Sequence, residues 1–413
     1  FPKGSKGIRN SMVTCIVGIN WGDEGKGRVA DLLSRDMDIV CRCQGTSEAR
    51  HTVVNERGSF MLNQLPSGIL YGGVCCIMGD GMYIQPDRLD EEITRLRDAG
   101  VYISPENLKI SRRAALVLPG LTATQMRLLL ETRDRLCMGD LTDVEMLAEH
   151  LNALADAFRR NGGKPNMSAW SACCRRYTAL FGDYIADTGA YLYDAEHAGK
   201  RILLESQSGA LRDKDFGVFP YGSPTNCLAA YTPIGAGMPG VRLSRVVGVM
   251  KAYSACHGDG PFPAEITGEE ATYFRELGQE DEDGATPRRV GGFDAVASRY
   301  GVRLQGVDAI ALTKLDAVSF LPQIPICVAY EVDGKRVTDF PTPSALRRAK
   351  PIYEYVDGWN CDISGCRAFA DLPVQAIIYI RYLEELVGAP ITYVSVGAER
   401  DAYIRDSVKA EIQ

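Results

Sequence analysis

VTCIVGINWGDEGKGRVADLLSR, residues 13–35, is the stretch whose reading decides the fold. Its first seven residues are mostly apolar and rich in β-branched side chains, as in a buried strand. A glycine loop follows, and then Val29, Ala30, Leu32 and Leu33 recur at helical spacing. Strand, glycine loop and helix form the setting in which backbone amides and a helix N-terminus cradle phosphate. The loop departs from the usual G-x-x-x-x-G-K-[ST]. Gly25 and Lys26 fit that pattern, but Asn20 stands in place of its first glycine and Gly27 in place of the hydroxyl residue. Gly22, Glu24, Gly25, Lys26 and Gly27 are the expected phosphate contacts. Two carboxylates, Asp23 and Glu24, lie inside the loop, where they would face the phosphates. An acid in that place suits a reaction that needs a nucleotide and a base together.

The same alternation continues along the chain. Residues 39–43, 73–79, 201–206, 307–316, 325–332 and 391–397 read as strands, and 87–100, 143–162 and 374–388 as helices. Strands spaced by helices predict an α/β fold: one large domain, residues 13–413, around a mostly parallel central β-sheet with helices on both faces. The stretch before Met12 reads as a short N-terminal extension or expression remnant, so residues 1–12 are set apart.

The bulk numbers fit a soluble enzyme of 413 residues: 46% hydrophobic, 24% charged, net charge −7. Dispersed basic residues argue against nucleic acid, and no apolar run is long enough to span a bilayer. Thirteen cysteines without zinc-ligand spacing predict reduced thiols in the cytoplasm. Only four histidines occur, which argues against a metal site built on them. His150 and His197 fall in helical patterns and read as surface or packing residues. Tyr191 and Tyr193 read as core or strand packing. The acidic run from Glu280 to Asp283 reads as a solvated loop.

A second signal is Thr313-Lys314-Leu315-Asp316 directly after the apolar run AIAL. In such a turn the aspartate accepts hydrogen bonds from the N1 and exocyclic amine of guanine while the lysine stem packs on the ring. A solvated Lys/Asp turn is the bland alternative. Together with the glycine loop it predicts a nucleoside triphosphate site that prefers guanine.

WGDEGKG (21–27) with His51 downstream, LNQLPSGIL (62–70), KAYSACHGDGPFPAE (251–265), TKLD (313–316), KPIYEYVDGW (350–359) and SVGAER (395–400) occur in an order that resembles the adenylosuccinate synthetase family. The resemblance runs from about Val13 to Arg400. It implies a fold related to the P-loop nucleotide hydrolases and a ligase that couples aspartate to the 6-oxo carbon of IMP, with GTP as co-substrate and Mg²⁺ as cofactor. Asp23 would remove the N1 proton so that O6 attacks the γ-phosphate, and would also ligate Mg²⁺. Lys26 would neutralise the transferring phosphoryl group, and His51 would act as general acid. The backbone of Arg50 would lie at the metal, and Ser395 and Gly397 would join the GTP site. The resemblance further implies a homodimer.

Several departures concentrate on the acceptor side. The family's GGHNAGHT reads GTSEARHT at residues 45–52, placing Glu48 where an asparagine contacts the IMP phosphate, and Arg50 where a glycine lies. A carboxylate beside a phosphate is repulsive, the more so if desolvated. The family's TTGRGIGP segment is missing between LVLPGL and RLCMGDL, along with the cross-subunit arginine it leads to. The glutamine of EGAQG aligns with Ser208, and the GATTGRRRRTGW stretch shortens so that Thr286, Arg288 and Arg289 remain. His257 replaces a valine and is either a substrate contact or part of a glycine loop. Ser223, Arg175 or Arg176 would be the compensating contacts.

These departures predict a GTP-dependent C–N ligase whose small-molecule acceptor is a purine-like or other amide or enol oxygen other than IMP, with aspartate as the default amine. Glu48, Arg50, Ser208, Ser223, His257, Thr286, Arg288 and Arg289 would line that site. The alternatives are a genuine adenylosuccinate synthetase, a phage-like variant taking dGMP, and a non-catalytic GTP-binding relative.

Overall fold

The computed structural model describes residues 12–55, 58–121, 135–280 and 287–406. Val13–Gly18, the apolar run that opens the glycine loop, is strand β1, and Lys26–Ser34 is helix α1. β1 lies inside an eleven-stranded sheet. The order runs Tyr403–Arg405, Ile391–Ser395, Ala309–Thr313, Arg245–Lys251, β1, Ile202–Glu205, Ile39–Gly45 (β2), Cys75–Ile84, Leu108–Ser111 and Ile185–Ala186, with Ala115–Leu116 paired to Cys75–Ile84. Every pairing is parallel except that of Ile391–Ser395 with Tyr403–Arg405. In register, Cys15 faces Val246 on one side and Leu204 on the other.

Parallel strands buried on both faces read as continuous apolar runs. Val13, Cys15, Val17, Cys41, Cys43, Ile202 and Leu204 pack on one face, under Leu192 of the Thr188–His197 helix and Ala236 of the Thr232–Ala236 helix. Ile16, Val40, Leu203 and Val247 pack on the other, with Val29 and Ala30 of α1 and Leu89, Ile93 and Leu96 of the Pro86–Asp98 helix. At the far side Ile310, Leu312, Ile391 and Val394 pack with Ala376, Tyr379, Ile380 and Leu383 of the Val374–Val387 helix. The α/β reading is therefore the observed architecture.

The structure differs from the expected elements in four places. Gln323–Val332 forms a strand but leaves the central sheet, pairing antiparallel with Lys350–Asp357 and Lys335–Val337. Arg245–Lys251 is an unforeseen central strand, its Gly248 admitted because a Cβ there would sit 2.8 Å from Ile19 and Val307 side chains. Tyr191 and Tyr193 lie on a helix and are exposed, with the Tyr193 ring 3.9 Å from that of His197. Glu280 is buried against Lys251 and the Tyr253 hydroxyl; residues 281–283 of the acidic run lie outside the described residues. His150 and His197 do lie on helices, His150 3.1 Å from Asp140. No helix among the described residues is long and apolar enough to cross a membrane.

Asp294 caps the Ala295–Gln305 helix, accepting from Ala297 N at 3.0 Å, and its other oxygen accepts from Tyr330 Oη at 2.7 Å. Burial raises its pKa to about 6, against which its hydrogen bonds work only in part. The folded state thus holds this proton more tightly than the unfolded chain. The associated stability is full below pH ~4 and lost as pH rises through ~6. Asp294→Asn keeps both contacts without the charge. Urea melts should show the variant gaining on the wild type by up to about 3 kcal/mol between pH 4 and pH 7.

Candidate active site

The ends of β1, β2, Ile202–Glu205, Arg245–Lys251, Ala309–Thr313 and Ile391–Ser395 all face one way, so their carboxyl ends share one edge of the sheet. Ligands of parallel α/β sheets bind beyond that edge. The predicted glycine loop lies there. Gly22, Asp23 and Gly25 adopt positive φ of 97°, 58° and 91°. Such turns aim successive N–H groups into one concavity. Gly25 caps α1 without a side-chain partner, leaving the first amides of the helix open.

The two loop carboxylates separate. Glu24 is buried under the loop, where Oε1 accepts from Asn20 N at 3.0 Å and Gly22 N at 2.8 Å, and Oε2 lies 2.6 Å from Lys26 Nζ. Its two oxygens thus brace the loop instead of facing the phosphates as expected. Gly18 and Gly209 have no room for a Cβ, since each would come within 2.5 Å of the Glu24 carboxylate. Asp23 points outward, its side chain 45% exposed, with Oδ2 3.5 Å from Arg288 Nε. Arg288 also donates to Glu280 Oε2 at 2.8 Å.

His51 packs on the other side of the loop. A Cβ at Gly27 would lie 2.5 Å from His51 Cβ, so the glycine is what lets the imidazole approach the start of α1. His51 Nδ1 lies 2.5 Å from Glu205 Oε1, and Glu205 Oε2 accepts from Ser67 N at 2.9 Å. A carboxylate only accepts, so Nδ1 carries the hydrogen and Nε2 is left for a substrate. Burial, aided by Arg42, lowers the His51 pKa and keeps the resting ring neutral. Burial would raise Glu205, but His51 and Arg42 outweigh it and hold the carboxyl at about 2. Arg42 is itself fully buried and donates to Leu65 O at 3.2 Å.

At the sheet's other half, Thr313 Oγ1 donates to Glu24 O at 2.6 Å, joining the T-K-L-D turn to the phosphate loop. Lys314, at φ 60°, donates to Gly278 O at 3.0 Å. Among the described residues, Asp316 Oδ1 is buried and has no hydrogen-bond partner. Burial raises its pKa, partly offset by Lys314. An unpartnered carboxylate oxygen is suited to the paired N–H donors of guanine. Ser395 Oγ donates to Gly397 O at 3.2 Å and accepts from Arg28 Nη1 at 3.0 Å, while Arg400 holds Asp31 of α1 by two contacts of 2.8 and 2.7 Å.

The acceptor-side residues behave unevenly. Glu48 and Arg50 are exposed on the turn before His51, so the desolvation penalty anticipated for Glu48 does not arise. The Ser208 backbone, at φ 61°, lies against Gly22. Ser223 spends its hydroxyl on Thr225 O at 3.1 Å. Arg289 is committed to Glu265, at 2.8 Å through Nε, and to Gly260 O at 2.7 Å, so it staples the 258–265 loop. The His257 side chain is exposed, and Arg176 pairs with Asp87. Thr286 lies outside the described residues, as does most of the stretch where TTGRGIGP is absent. Sequence reasoning did not single out Glu205, Arg42, Arg28 or Asp31. Glu205 was legible as the acid that opens ESQSG, residues 205–209, the stretch containing Ser208; a buried arginine in an apolar strand gave no such signal.

A parallel α/β sheet with a phosphate-cradling loop, a buried histidine–carboxylate pair and a guanine-type turn on its carboxyl edge defines a nucleotide-using enzyme class. The sequence matches the family model described as adenylosuccinate synthetase over residues 15–127 and 130–404. An adenylosuccinate synthetase from Caldanaerobacter subterraneus subsp. tengcongensis is 37% identical, covering 95% of this chain and 98% of that protein. One from Pelotomaculum thermopropionicum is 38% identical over 94% and 97%. The structure of fully ligated adenylosuccinate synthetase from Plasmodium falciparum aligns with a TM-score of 0.85 at 29% identity, covering 96% of this chain and 100% of that one. A cyanophage S-2L succinoaminodeoxyadenylate synthetase bound to dGMP and dATP shares the fold, at a TM-score of 0.58 and 19% identity over 97% of each chain. The chain belongs to the adenylosuccinate synthetase family, and is a GTP-dependent ligase forming C–N bonds. Against the expected divergent acceptor, these matches favour the alternative, a genuine adenylosuccinate synthetase.

Replacing Glu205 with glutamine removes the charge that offsets Arg42. Glu205→Gln should lower stability by about 3 kcal/mol at neutral pH in urea melts. Because the folded carboxyl titrates near 2, below its usual value, that difference should shrink as pH falls from ~4.5 towards 2.

Proposed function

We propose that this enzyme makes adenylosuccinate from IMP and L-aspartate, converting GTP to GDP and phosphate. The observation that carries the reading is the division of labour in the loop. Glu24 is spent on the loop itself, leaving Asp23 exposed at the mouth of a phosphate cradle. The near full-length likeness to enzymes of that name supports the same substrates.

In this reading the guanine of GTP sits against Asp316 and Lys314, with Ser395 and Gly397 beside it, and its phosphates lie along Gly22–Gly27 at the start of α1. Asp23 accepts the N1 proton of hypoxanthine, so that O6 attacks the γ-phosphorus and GDP leaves. Lys26, 2.6 Å from Glu24, offsets charge on the transferring group. His51, oriented by Glu205 through Nδ1–H, presents a bare Nε2 to the substrate and serves as the expected general acid only after taking up a proton there. The aspartate amine then attacks C6, and the phosphorylated oxygen departs as phosphate. Arg288, already shared by Asp23 and Glu280, is suited to a carboxylate of the amino acid. Mg²⁺ would neutralise phosphate charge and so favour phosphoryl transfer. Asp23 and the Arg50 backbone would hold it. No cluster of three or more His, Cys, Asp or Glu side chains among the described residues could hold a metal unaided. Residues 13–413 act as one catalytic domain in a cytoplasmic homodimer.

A second reading, an acceptor other than IMP, is favoured by two particulars. Ser208 stands where a base-reading glutamine was expected, and the family match breaks at residues 128 and 129, within the stretch that lacks TTGRGIGP. Incubating the enzyme with GTP, Mg²⁺, aspartate and IMP should give adenylosuccinate at ~1–100 s⁻¹. Failure with IMP alongside turnover of dGMP would establish the second reading instead. Asp316→Asn should raise the KM for GTP about 10-fold or more with little change in that for IMP; equal effects on both substrates would contradict the guanine assignment.

A further inference from the structure

A buried carboxylate stands behind the arginine that faces Asp23. Glu280 follows the Gly268–Gly278 helix, whose capping residue Gln279 takes φ 50°. That left-handed cap turns the chain back, Glu280 N donates to Arg275 O at 3.0 Å, and the Glu280 side chain enters the interior. Three donors converge on its carboxylate. Lys251 Nζ and the Tyr253 hydroxyl both reach Oε1, and Arg288 Nη1 donates to Oε2 at 2.8 Å. Lys251 is itself buried at the end of a central strand, so its charge needs that partner. The cap is held from the guanine-type turn as well, where Lys314 Nζ donates to Gly278 O at 3.0 Å. Residue 278 has to be glycine, since a Cβ there would lie 2.1 Å from Tyr253 Oη.

Arg288 therefore has one firm partner and one loose one. The inner contact, to Glu280, is a short charge-assisted hydrogen bond to a buried group, and it fixes the guanidinium. The outer contact, Nε to Asp23 Oδ2, is 3.5 Å long and joins side chains 28% and 45% exposed. Ion pairs of that kind are weak. When Asp23 turns to the acceptor, Arg288 loses its outer partner and keeps its inner one. A guanidinium already ordered in that way binds a new carboxylate without first giving up its own side-chain freedom. The partner it holds at rest is a carboxylate, so an amino acid's carboxylate replaces like with like.

We propose that Glu280 is a positioning residue for the amino-acid substrate, holding Arg288 in the orientation that receives a carboxylate. This rests on the proposed function, which places the amino acid at Arg288. Glu280 acts only through Arg288, and Lys251 and Tyr253 act only by fixing Glu280. The consequence is selective: loosening Glu280 weakens the hold on the amino acid and leaves the two nucleotides bound as before.

Two variants of the full-length protein test this. Glu280→Gln keeps the shape but loses the charge and one acceptor oxygen; Tyr253→Phe removes a single donor to Glu280 without any change of charge, and serves if the first variant fails to fold. Steady-state rates with each substrate varied in turn should show KM for aspartate rising about 10-fold or more in Glu280→Gln and about 3-fold in Tyr253→Phe. In both, kcat and the KM values for GTP and IMP should stay within about 2-fold. Titration calorimetry of aspartate into enzyme holding IMP, a non-hydrolysable GTP analogue and Mg²⁺ should give the same shift without turnover. Unchanged aspartate affinity in the variants would overturn the inference, as would a rise in KM for GTP or IMP as large as that for aspartate. The two claims fail separately. If wild type binds aspartate and the variants bind it more weakly, but no adenylosuccinate is ever made, the proposed reaction falls and the role of Glu280 stands.

Discussion

The structure depends on a carboxylate turned inward. Glu24 lies beneath the glycine loop, receives the amides of Asn20 and Gly22, and faces Lys26 at 2.6 Å in a buried pair. A buried ion pair is worth keeping only when its remaining lone pairs are also satisfied, and here the loop backbone supplies that. In return the loop is held in a shape with three residues at positive φ. That shape puts Asp23 outside, where it is exposed and near Arg288. One acid braces the loop, and its neighbour is left exposed.

The rest of the site is brought to that loop by the parallel sheet. Glu205 ends one neighbour of β1, Lys251 the other, and Thr313 ends the strand beyond. Each delivers a tie: Glu205 orients His51, Lys251 anchors Glu280 and through it Arg288, and Thr313 donates to the Glu24 carbonyl. Arg28 and Asp31 on α1 reach the 395–400 loop, tying the helix after the glycine loop to the end of Ile391–Ser395. Burial would raise Glu280, yet Lys251, Tyr253 and Arg288 together hold it at about 2, so the Arg288 anchor is ionised throughout the physiological range. The cations and anions alternate from Lys251 to Asp23, which places a rigid electrostatic row beside the mobile chemistry.

Much of this was legible in residues 13–35 and 313–316, because phosphate and guanine recognition use backbone geometry that demands particular residue types at fixed spacing. Gly25, Gly27 and Asp316 stand out from that demand alone, and the structure gives Gly25 a positive φ and packs Gly27 against His51. The central strand Arg245–Lys251 escaped notice because its Gly248 and terminal lysine blur the apolar run. Gln323–Val332 has the composition of a central strand yet pairs antiparallel elsewhere, since periodicity reports burial and not partners. On the acceptor side, aligned positions carry no information on side-chain direction. Glu48 looked like a buried clash and is exposed; Arg289 looked like a substrate contact and is bound to Glu265. Substitutions name a position, whereas the direction of a side chain depends on backbone turns such as that at Ser208, whose positive φ no propensity would predict.

The central claim is that Asp23 lets an acceptor oxygen capture the γ-phosphoryl group before the amine arrives. GTP carrying oxygen-18 in its β–γ bridge tests it directly, in the presence of IMP and Mg²⁺ and without aspartate. Reversible transfer frees the labelled oxygen to become one of three equivalent β-oxygens, and its return scrambles the label. Scrambling should require IMP and fall by ~100-fold or more in Asp23→Asn. Scrambling that proceeds without an acceptor, or at the wild-type rate in Asp23→Asn, would contradict the account.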